Sequence, residues 1–198
     1  MEKRKVPSRV EKLPQLGSST LEVEGNWHSS RMNKGKLLQD KQIIIRPATA
    51  DDSAALLLWR NDPVTRENSL TTEPVSKDNH EQWFSSSLQR EDRVIYIADI
   101  SSLSNQQDSC GMCRFDISQD GKSAIVSINL NPKYRGEGLS LSILELSINA
   151  FAQEFQGITS LDAEIRESNL PSIHIFTKAG FTKIDVDSEV GHYSLSVN

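Results

Sequence analysis

The sequence predicts a mixed α/β (α+β) fold in which one central mixed sheet of about seven strands is flanked by about four helices. Short runs rich in β-branched residues alternate along the chain with segments whose apolar residues recur at helical spacing. That alternation is typical of a sheet covered by helices. A chain of 198 residues is long enough to bury one sizeable core. The predicted order of elements is β-α-α-β-β-β-α-β-α-β-β.

The regular pattern begins near Gln42. Residues 1–41 carry scattered charges, serine and glycine without a sustained period of 2 or 3.6. We therefore expect a disordered or atypical N-terminal extension over residues 1–41 and a folded domain over residues 42–198. Within that domain, the apolar run Ile43–Ile45, stopped by Pro47, predicts the first strand.

Two helices are predicted next. Asp51 and Asp52 are expected to cap a helix whose apolar residues include Leu57, Leu58 and Trp59, and the segment Asn61-Asp62-Pro63 is expected to end it. Ser76 is the expected N-cap of a second helix that runs to about Gln89. The apolar anchors of this second helix are Trp83, Phe84 and Leu88.

Three strands follow these helices. Residues 93–100 are almost continuously apolar in their middle and predict a strand, and the polar residues 101–109 predict a loop. Residues 111–117 and 123–130 predict a hairpin, because Asp120-Gly121 between them is a strong turn signal.

The C-terminal third predicts two helices and three strands. Apolar residues recur at helical spacing from Leu139 to Phe155, over more than one face, which predicts a helix packed across the sheet. Residues 161–165 alternate as a strand. Asn169-Leu170-Pro171 begins the next helix and Gly180 ends it. The last two predicted strands span residues 181–186 and 190–197.

One segment carries most of the functional information: Asn131-Pro132-Lys133-Tyr134-Arg135-Gly136-Glu137-Gly138-Leu139-Ser140. It joins a strand to the long helix. Glycine can take positive φ and lets a ligand approach the backbone, while the first turn of a helix has unpaired N–H donors and a favourable dipole for anions. The segment therefore predicts a phosphate or pyrophosphate site, with Arg135 adding a contact from the rim.

Three glycine-rich loops compete for this assignment. The P-loop is excluded because no Gly-Lys-Ser/Thr follows. The dinucleotide fingerprint matches at Gly136 and Gly138, but Leu141 stands where its third glycine belongs. The remaining alternative is the pyrophosphate loop of an acyl-CoA-dependent N-acyltransferase.

The segment resembles motif A of the GNAT superfamily of N-acetyltransferases, with Arg135, Gly138 and Ser140 at the motif positions. Residues 164–169 and 172–181 resemble the family's strand–Asn–helix–Gly-Phe segment, so the resemblance covers about residues 43–197. It implies acetyl-CoA as cosubstrate, no metal, and direct attack of an amine on the thioester without a covalent acyl-enzyme.

The resemblance also implies which residues contact the coenzyme. The family's strand before the loop splays from its neighbour and holds the thioester arm with free backbone groups. The implied coenzyme-binding residues are Asn129, Leu130, Arg135, Gly136, Glu137, Gly138, Leu139, Ser140, Asn169 and Phe176. Two of them depart from the pattern. Ser140 replaces the usual Gly or Ala, and Phe176 replaces a Tyr that can protonate the leaving thiolate.

Two residues are candidate catalytic bases. Glu164 lies on the strand expected to face the splay, and its alternative role is a solvated carboxylate or a partner of Arg166. His80 has a side chain suited to general-base work at neutral pH. Its alternative role is an ordinary helix-surface or half-buried histidine. For Asn169, the alternative to coenzyme contact is a helix N-cap.

The acceptor is predicted from residues in the first two helices and the third strand: Trp59, Arg60, Asn61, Trp83 and Arg114. These resemble the branch of the superfamily that acetylates nucleotide-linked amino-sugars, including the pseudaminic acid pathway enzyme. Aromatic faces suit sugar and base stacking, and Arg60 or Arg114 could grip a diphosphate. The tryptophans are alternatively core residues. Three alternative functions stay open: acetylation of protein N-termini, acetylation of small amines or antibiotics, and non-catalytic binding of acyl-CoA.

Net charge, hydropathy and cysteine content limit the classes of partner and the location that we expect for this chain. The formal net charge of −5 argues against general nucleic-acid binding, and no apolar run is long enough for a membrane span. The charged start has no signal-peptide pattern, so a cytoplasmic location is expected. Cys110 and Cys113 are too few for a zinc site, and we expect reduced, structural thiols that face opposite sides of a strand.

Overall fold

A computed structural model describes residues 42–101 and 107–197. The expected N-terminal extension over residues 1–41 lies outside the described residues, as does most of the predicted loop over residues 101–109. Seven strands and five α-helices follow one another in the described part. The strands are β1 (Gln42–Pro47), β2 (Arg93–Ser101), β3 (Gln107–Ile117), β4 (Ser123–Leu130), β5 (Ser160–Arg166), β6 (Thr182–Asp187) and β7 (Val190–Ser196). The helices are α1 (Ser53–Asn61), α2 (Pro63–Glu67), α3 (Lys77–Ser87), α4 (Ser140–Glu154) and α5 (Leu170–Lys178).

The strands form one mixed sheet in the order β1-β2-β3-β4-β5-β7-β6, and this confirms the predicted fold class. All neighbouring strands pair antiparallel except β4 and β5, which are parallel. Parallel neighbours need a crossover, and α4 supplies it.

The parallel pair is joined along only part of its length. Ser123, Ala124 and Ile125 of β4 pair with Ser160, Leu161 and Asp162 of β5, and the register stops there. Residues 126–130 of β4 therefore diverge from the rest of β5. The divergence leaves a wedge between the two strands at the carboxyl end of β4.

Helices cover both faces of the sheet. On β2, Tyr96 and Ala98 belong to the main core, which also contains Phe151 of α4 and Phe176 of α5. The alternate residues Ile95 and Ile97 belong to a second core formed with α1 and α3. Because successive side chains of a strand point to opposite faces, the apolar run on β2 is explained by burial on both sides.

Two local expectations for α1 are wrong. Asp52 does not cap α1 with its side chain; it accepts from the backbone N–H of Thr49 at 2.7 Å and binds Arg46 at 2.8 Å. It closes a short 3₁₀ turn before the helix. Leu58, expected on the apolar side, is 73% exposed, and the buried residues of α1 are Leu56 and Trp59.

The helix α2 was not predicted. The segment Asn61-Asp62-Pro63 does end α1, but it also begins α2. The carboxylate of Asp62 accepts from the N–H of Thr65 at 3.0 Å, and Pro63 occupies the first turn, where its missing N–H costs nothing.

The two cysteines are free, as expected, but their placement differs from the expectation. The register between β2 and β3 shifts after Ala98, so Cys110 lies at a bulge. Cys110 and Cys113 consequently belong to the same core instead of opposite sides. Burial raises the pKa of both thiols to about 12.

Among the described residues, no helix is long and apolar enough to cross a membrane.

The turn between β6 and β7 offers a test of stability. Ser188 and Glu189 have φ of 48° and 70°, a left-handed conformation that favours Asn and Gly. We expect the double substitution Ser188→Asn, Glu189→Gly to raise the free energy of unfolding by about 1–2 kcal/mol. Urea denaturation measures it. The matched control, Ser188→Ala with Glu189→Ala, keeps the strain and should give no gain, and an equal gain in both would contradict this account.

Candidate active site

Hydrogen bonds of Asn131 and Tyr134 hold the first part of the loop after β4 in place. The side-chain oxygen of Asn131 accepts from the N–H of Lys133 at 3.0 Å, and its amide donates to the carbonyl of Ser109 at 2.9 Å. The hydroxyl of buried Tyr134 donates to Asp108 at 2.7 Å. These bonds fix the turn that leads into the glycines.

The two glycines of this loop both have positive φ, 78° at Gly136 and 77° at Gly138. A Cβ at either position would meet no heavy atom within 4 Å, so the space above the backbone is open. Leu139 packs into the core below, and α4 begins at Ser140 with no side-chain cap at its N-terminus. This geometry is typical of an anion site built from backbone N–H groups and the first turn of a helix, and binding of a coenzyme there stays a prediction.

Arg135 binds protein groups in this structure. One guanidinium nitrogen lies 2.6 Å from Asp62 Oδ1 and donates to Thr65 Oγ1 at 2.6 Å. Hydrogen bonding from Arg135 lowers the pKa of Asp62, so the carboxylate is charged at neutral pH. The predicted contact of Arg135 with a pyrophosphate stays a prediction.

Asn129 and Leu130 lie on the diverging part of β4, beside the wedge. The hydroxyl of Thr65 donates to Asn129 Oδ1 at 3.3 Å, and Leu130 packs partly against the main core. Glu137 is half-buried in the glycine loop and interacts with neighbouring groups.

Asn169 caps α5, which was its alternative role. Its side-chain oxygen accepts from the N–H of Ser172 at 3.1 Å, and its amide donates to the carbonyl of Asn68 at 3.3 Å. Phe176 is buried and packs edge-on against Phe181 with ring centroids 5.0 Å apart. Contact of either residue with a coenzyme stays a prediction.

Glu164 lies exposed in an open cleft of about 390 Å³ on the side of the wedge where β5 and β7 run. It is in register with His192 of β7. The cleft is lined by Leu70, Glu164, Arg166, Asp187, Ser188, Val190 and His192. Within the part of the chain that the structure describes, the buried Nε of Arg166 has no hydrogen-bond partner. Because Arg166 lines the cleft together with Glu164, the cleft contains both a positive and a negative charge.

His80, the second candidate base, does not line this cleft. It is 3% exposed, its Nε2 lies 2.9 Å from the carbonyl oxygen of Ser53, and its ring stacks on Phe84. Burial lowers the pKa of His80, which keeps the imidazole neutral at pH 7.

Two of the predicted acceptor residues brace the chain between α2 and α3. The guanidinium of Arg60 donates to the carbonyl of Thr71 at 2.7 Å, and burial, with nearby Arg66, lowers its pKa. Asn61 exchanges two hydrogen bonds of 2.8 Å with the backbone of Val75.

The other three acceptor candidates lie over β2 and β3. Trp59 is buried in the second core. Trp83 has the guanidinium groups of Arg93 and Arg114 at 5.8 and 5.9 Å from its ring centroid. Arg114 lies 2.9 Å from Asp116, and burial lowers its pKa. These three residues are thus packed together with neighbours, and their contact with an acceptor stays a prediction.

The sequence analysis did not assign a place in the candidate site to three residues of this region. Arg166 could have been found, because residues two apart on a strand share a face and Glu164 is two before it. His192 lies beside Glu164 because of the register of β5 with β7, and Thr65 contacts Asn129 because it lies on α2. Neither arrangement has a signal in the sequence.

In the part of the chain that the structure describes, no three His, Cys, Asp or Glu side chains lie together so that they could hold a metal ion.

Comparisons with known proteins agree with this geometry. The family model described as acetyltransferase (GNAT) domain matches residues 42–182. YwnH of Bacillus subtilis (strain 168), provisionally named a phosphinothricin acetyltransferase, is 27% identical over 138 residues, which cover 67% of this chain and 79% of that protein.

Solved structures show the same fold. A domain from Methanocaldococcus jannaschii DSM 2661 has a TM-score of 0.69 at 25% identity and covers 80% of this chain and 100% of its own. Spermidine N-acetyltransferase from Vibrio cholerae, in complex with CoA and spermine, has a TM-score of 0.67 over 78% of this chain and 95% of its own. At 13% identity, that likeness concerns the fold alone.

Proposed function

The chain belongs to the acetyltransferase (GNAT) domain family and is an acetyl-CoA-dependent N-acetyltransferase, and we propose that its acceptor is a small molecule carrying a primary amine near an anionic group. One observation carries the proposal: the wedge between β4 and β5 opens directly beside the glycine loop. Free backbone groups of β4 are thus next to an anion-binding turn. A thioester whose carrier ends in phosphates fits that pair of features.

The chemistry of the site needs few side chains. The acceptor amine must be neutral to attack, and Glu164, directly or through water, removes its proton. The backbone N–H of Leu130, which points away from β3 toward the wedge, stabilises the oxyanion. Phe176 cannot protonate the leaving thiolate, and the hydroxyl of Tyr134 is bound to Asp108. No acid is required, since a thiol pKa near 8.5 lets the thiolate leave by itself.

The charge pattern of the cleft supports the acceptor class. The guanidinium of Arg166 suits an anionic group, and the carboxylates of Glu164 and Asp187 suit the amine. A nucleotide-linked amino-sugar, the acceptor expected from sequence, carries both groups. Phosphinothricin, for which the Bacillus subtilis relative is named, also carries an amine and acidic groups. Spermidine, which gives the Vibrio cholerae enzyme its name, has amines without an anion.

The test is turnover with a panel of acceptors: a nucleotide-linked 4-amino-4,6-dideoxyhexose, phosphinothricin, spermidine and a peptide with a free N-terminus. Release of coenzyme A is followed with a thiol reagent, against which the buried Cys110 and Cys113 give little background. We expect the two anionic acceptors to be preferred. A preference for spermidine would contradict the proposed acceptor class.

A variant sharpens this test. Arg166→Gln should raise the KM of the anionic acceptor about 10-fold or more, because a charge-assisted hydrogen bond is lost, and should leave the KM of acetyl-CoA unchanged. The control, Arg166→Lys, keeps the charge. Its KM for the anionic acceptor should lie between those of the wild type and Arg166→Gln. An equal rise in both KM values would place Arg166 outside the acceptor site.

A further inference from the structure

The helix α2 bridges the two sides of the wedge. Thr65 reaches Asn129 at the end of β4, at 3.3 Å, and the carbonyl of Asn68, just after α2, accepts from Asn169 at the start of α5, at 3.3 Å. The same helix holds the glycine loop through Arg135. One short helix thus contacts the loop, the diverging strand and the element that follows β5.

The hydrogen bonds around α2 have a consistent direction. The Arg135 guanidinium can only donate, so Asp62 and Thr65 accept from it. The single hydroxyl proton of Thr65 is then donated to Asn129 Oδ1. We name these four residues, Asp62, Thr65, Asn129 and Arg135, the α2 clasp.

The clasp occupies Arg135 with a fixed carboxylate. Asp62 is held by the N–H of Thr65 as the N-cap of α2, and its lowered pKa keeps it charged. An anion bound at Gly136 and Gly138 meets backbone N–H groups and the N-terminus of α4, which need no help from a side chain.

We propose that Arg135 is a positioning residue which acts through Asp62: the α2 clasp fixes the glycine loop for the coenzyme, and the guanidinium is not itself a ligand of the diphosphate. This inference rests on the proposed function, because it assumes that the loop binds acetyl-CoA. It makes a helix beside the acceptor cleft a determinant of coenzyme affinity.

A double-mutant cycle tests the proposal. Asp62→Asn keeps the N-cap of α2 but removes the charge that holds Arg135, and Arg135→Gln removes the guanidinium. The dissociation constant of acetyl-CoA is measured by calorimetry for the full chain, both single variants and the double variant. Circular dichroism and thermal melts confirm that each variant is folded.

We expect each single variant to weaken binding about 10-fold and the double variant to be no weaker than either single one. A direct diphosphate contact gives the opposite pattern. Arg135→Gln would then cost as much in the Asp62→Asn background as in the wild type, and Asp62→Asn alone would leave affinity unchanged or improve it. Either result overturns the inference while leaving the proposed function intact, whereas a wild-type chain that ignores acetyl-CoA overturns both.

Thr65 gives an independent check on the same proposal. Thr65→Val removes the hydroxyl at nearly constant shape, and Thr65→Ser restores it. We expect Thr65→Val to raise the KM of acetyl-CoA several-fold with a smaller change in kcat, and Thr65→Ser to recover most of the loss. If Thr65→Val instead lowered the melting temperature and left the KM of acetyl-CoA unchanged, the role of Thr65 would be purely structural. That outcome also overturns the inference.

Discussion

Gly138→Asp is expected to abolish acetyl-CoA binding while the protein remains folded. A carboxylate on the glycine loop would fill the open space that the phosphates need and would repel them beside the N-terminus of α4. We expect the dissociation constant to rise at least about 100-fold. Because no heavy atom lies within 4 Å of the new Cβ, the cost to folding is limited to the positive φ of 77°, about 1–2 kcal/mol.

The matched control for this substitution is Gly138→Asn. Asparagine has nearly the same shape and tolerates positive φ, but it carries no charge. Calorimetric titration with acetyl-CoA should rank the wild type first, Asn second and Asp last, with similar unfolding curves for the two variants. Unchanged affinity in Gly138→Asp would move the coenzyme away from this loop and remove the basis of the proposed function.

Glu164→Gln is expected to lower kcat/KM about 100-fold or more at neutral pH, the usual contribution of a general base. The amide keeps the shape of the carboxylate and cannot accept the proton of the amine. The loss should shrink as the pH approaches about 10, where an ordinary amine deprotonates in water. A pH profile of initial rates measures both effects.

His80→Gln is the control for the base, because the sequence offered His80 as the competing candidate. The glutamine amide can still donate to the carbonyl of Ser53, and the imidazole it replaces is buried and outside the cleft. We expect its kcat to stay near the wild-type value. If His80→Gln lost activity and Glu164→Gln kept it, the catalytic assignment would have to be reversed.

The sheet was predictable because its signals are local. The turn signal Asp120-Gly121 predicted a hairpin whose second strand spans residues 123–130, where the structure has β4. The glycine loop was predictable for the same reason, since positive φ at Gly136 and Gly138 follows from residue type and from their position before a helix.

The features that the sequence did not predict depend on contacts between distant segments. Five residues are too few for α2 to show a helical period, and Pro63 was interpreted only as the end of α1. The bulge that brings Cys110 and Cys113 into one core depends on the register of β3 with β2. Likewise, His192 meets Glu164 only because β7 pairs with β5 in one register of several that alternation alone would allow.

The three-residue seam between β4 and β5 has a consequence for how specificity can change. The glycine loop follows the half of the sheet that ends with β4, whereas the residues around Glu164 belong to the half that begins with β5. The two halves share one core, but the exposed side chain of Glu164 lies outside it. We therefore expect that substitutions on β5 and β7 can change the acceptor, provided that α2, which spans the wedge, is unchanged.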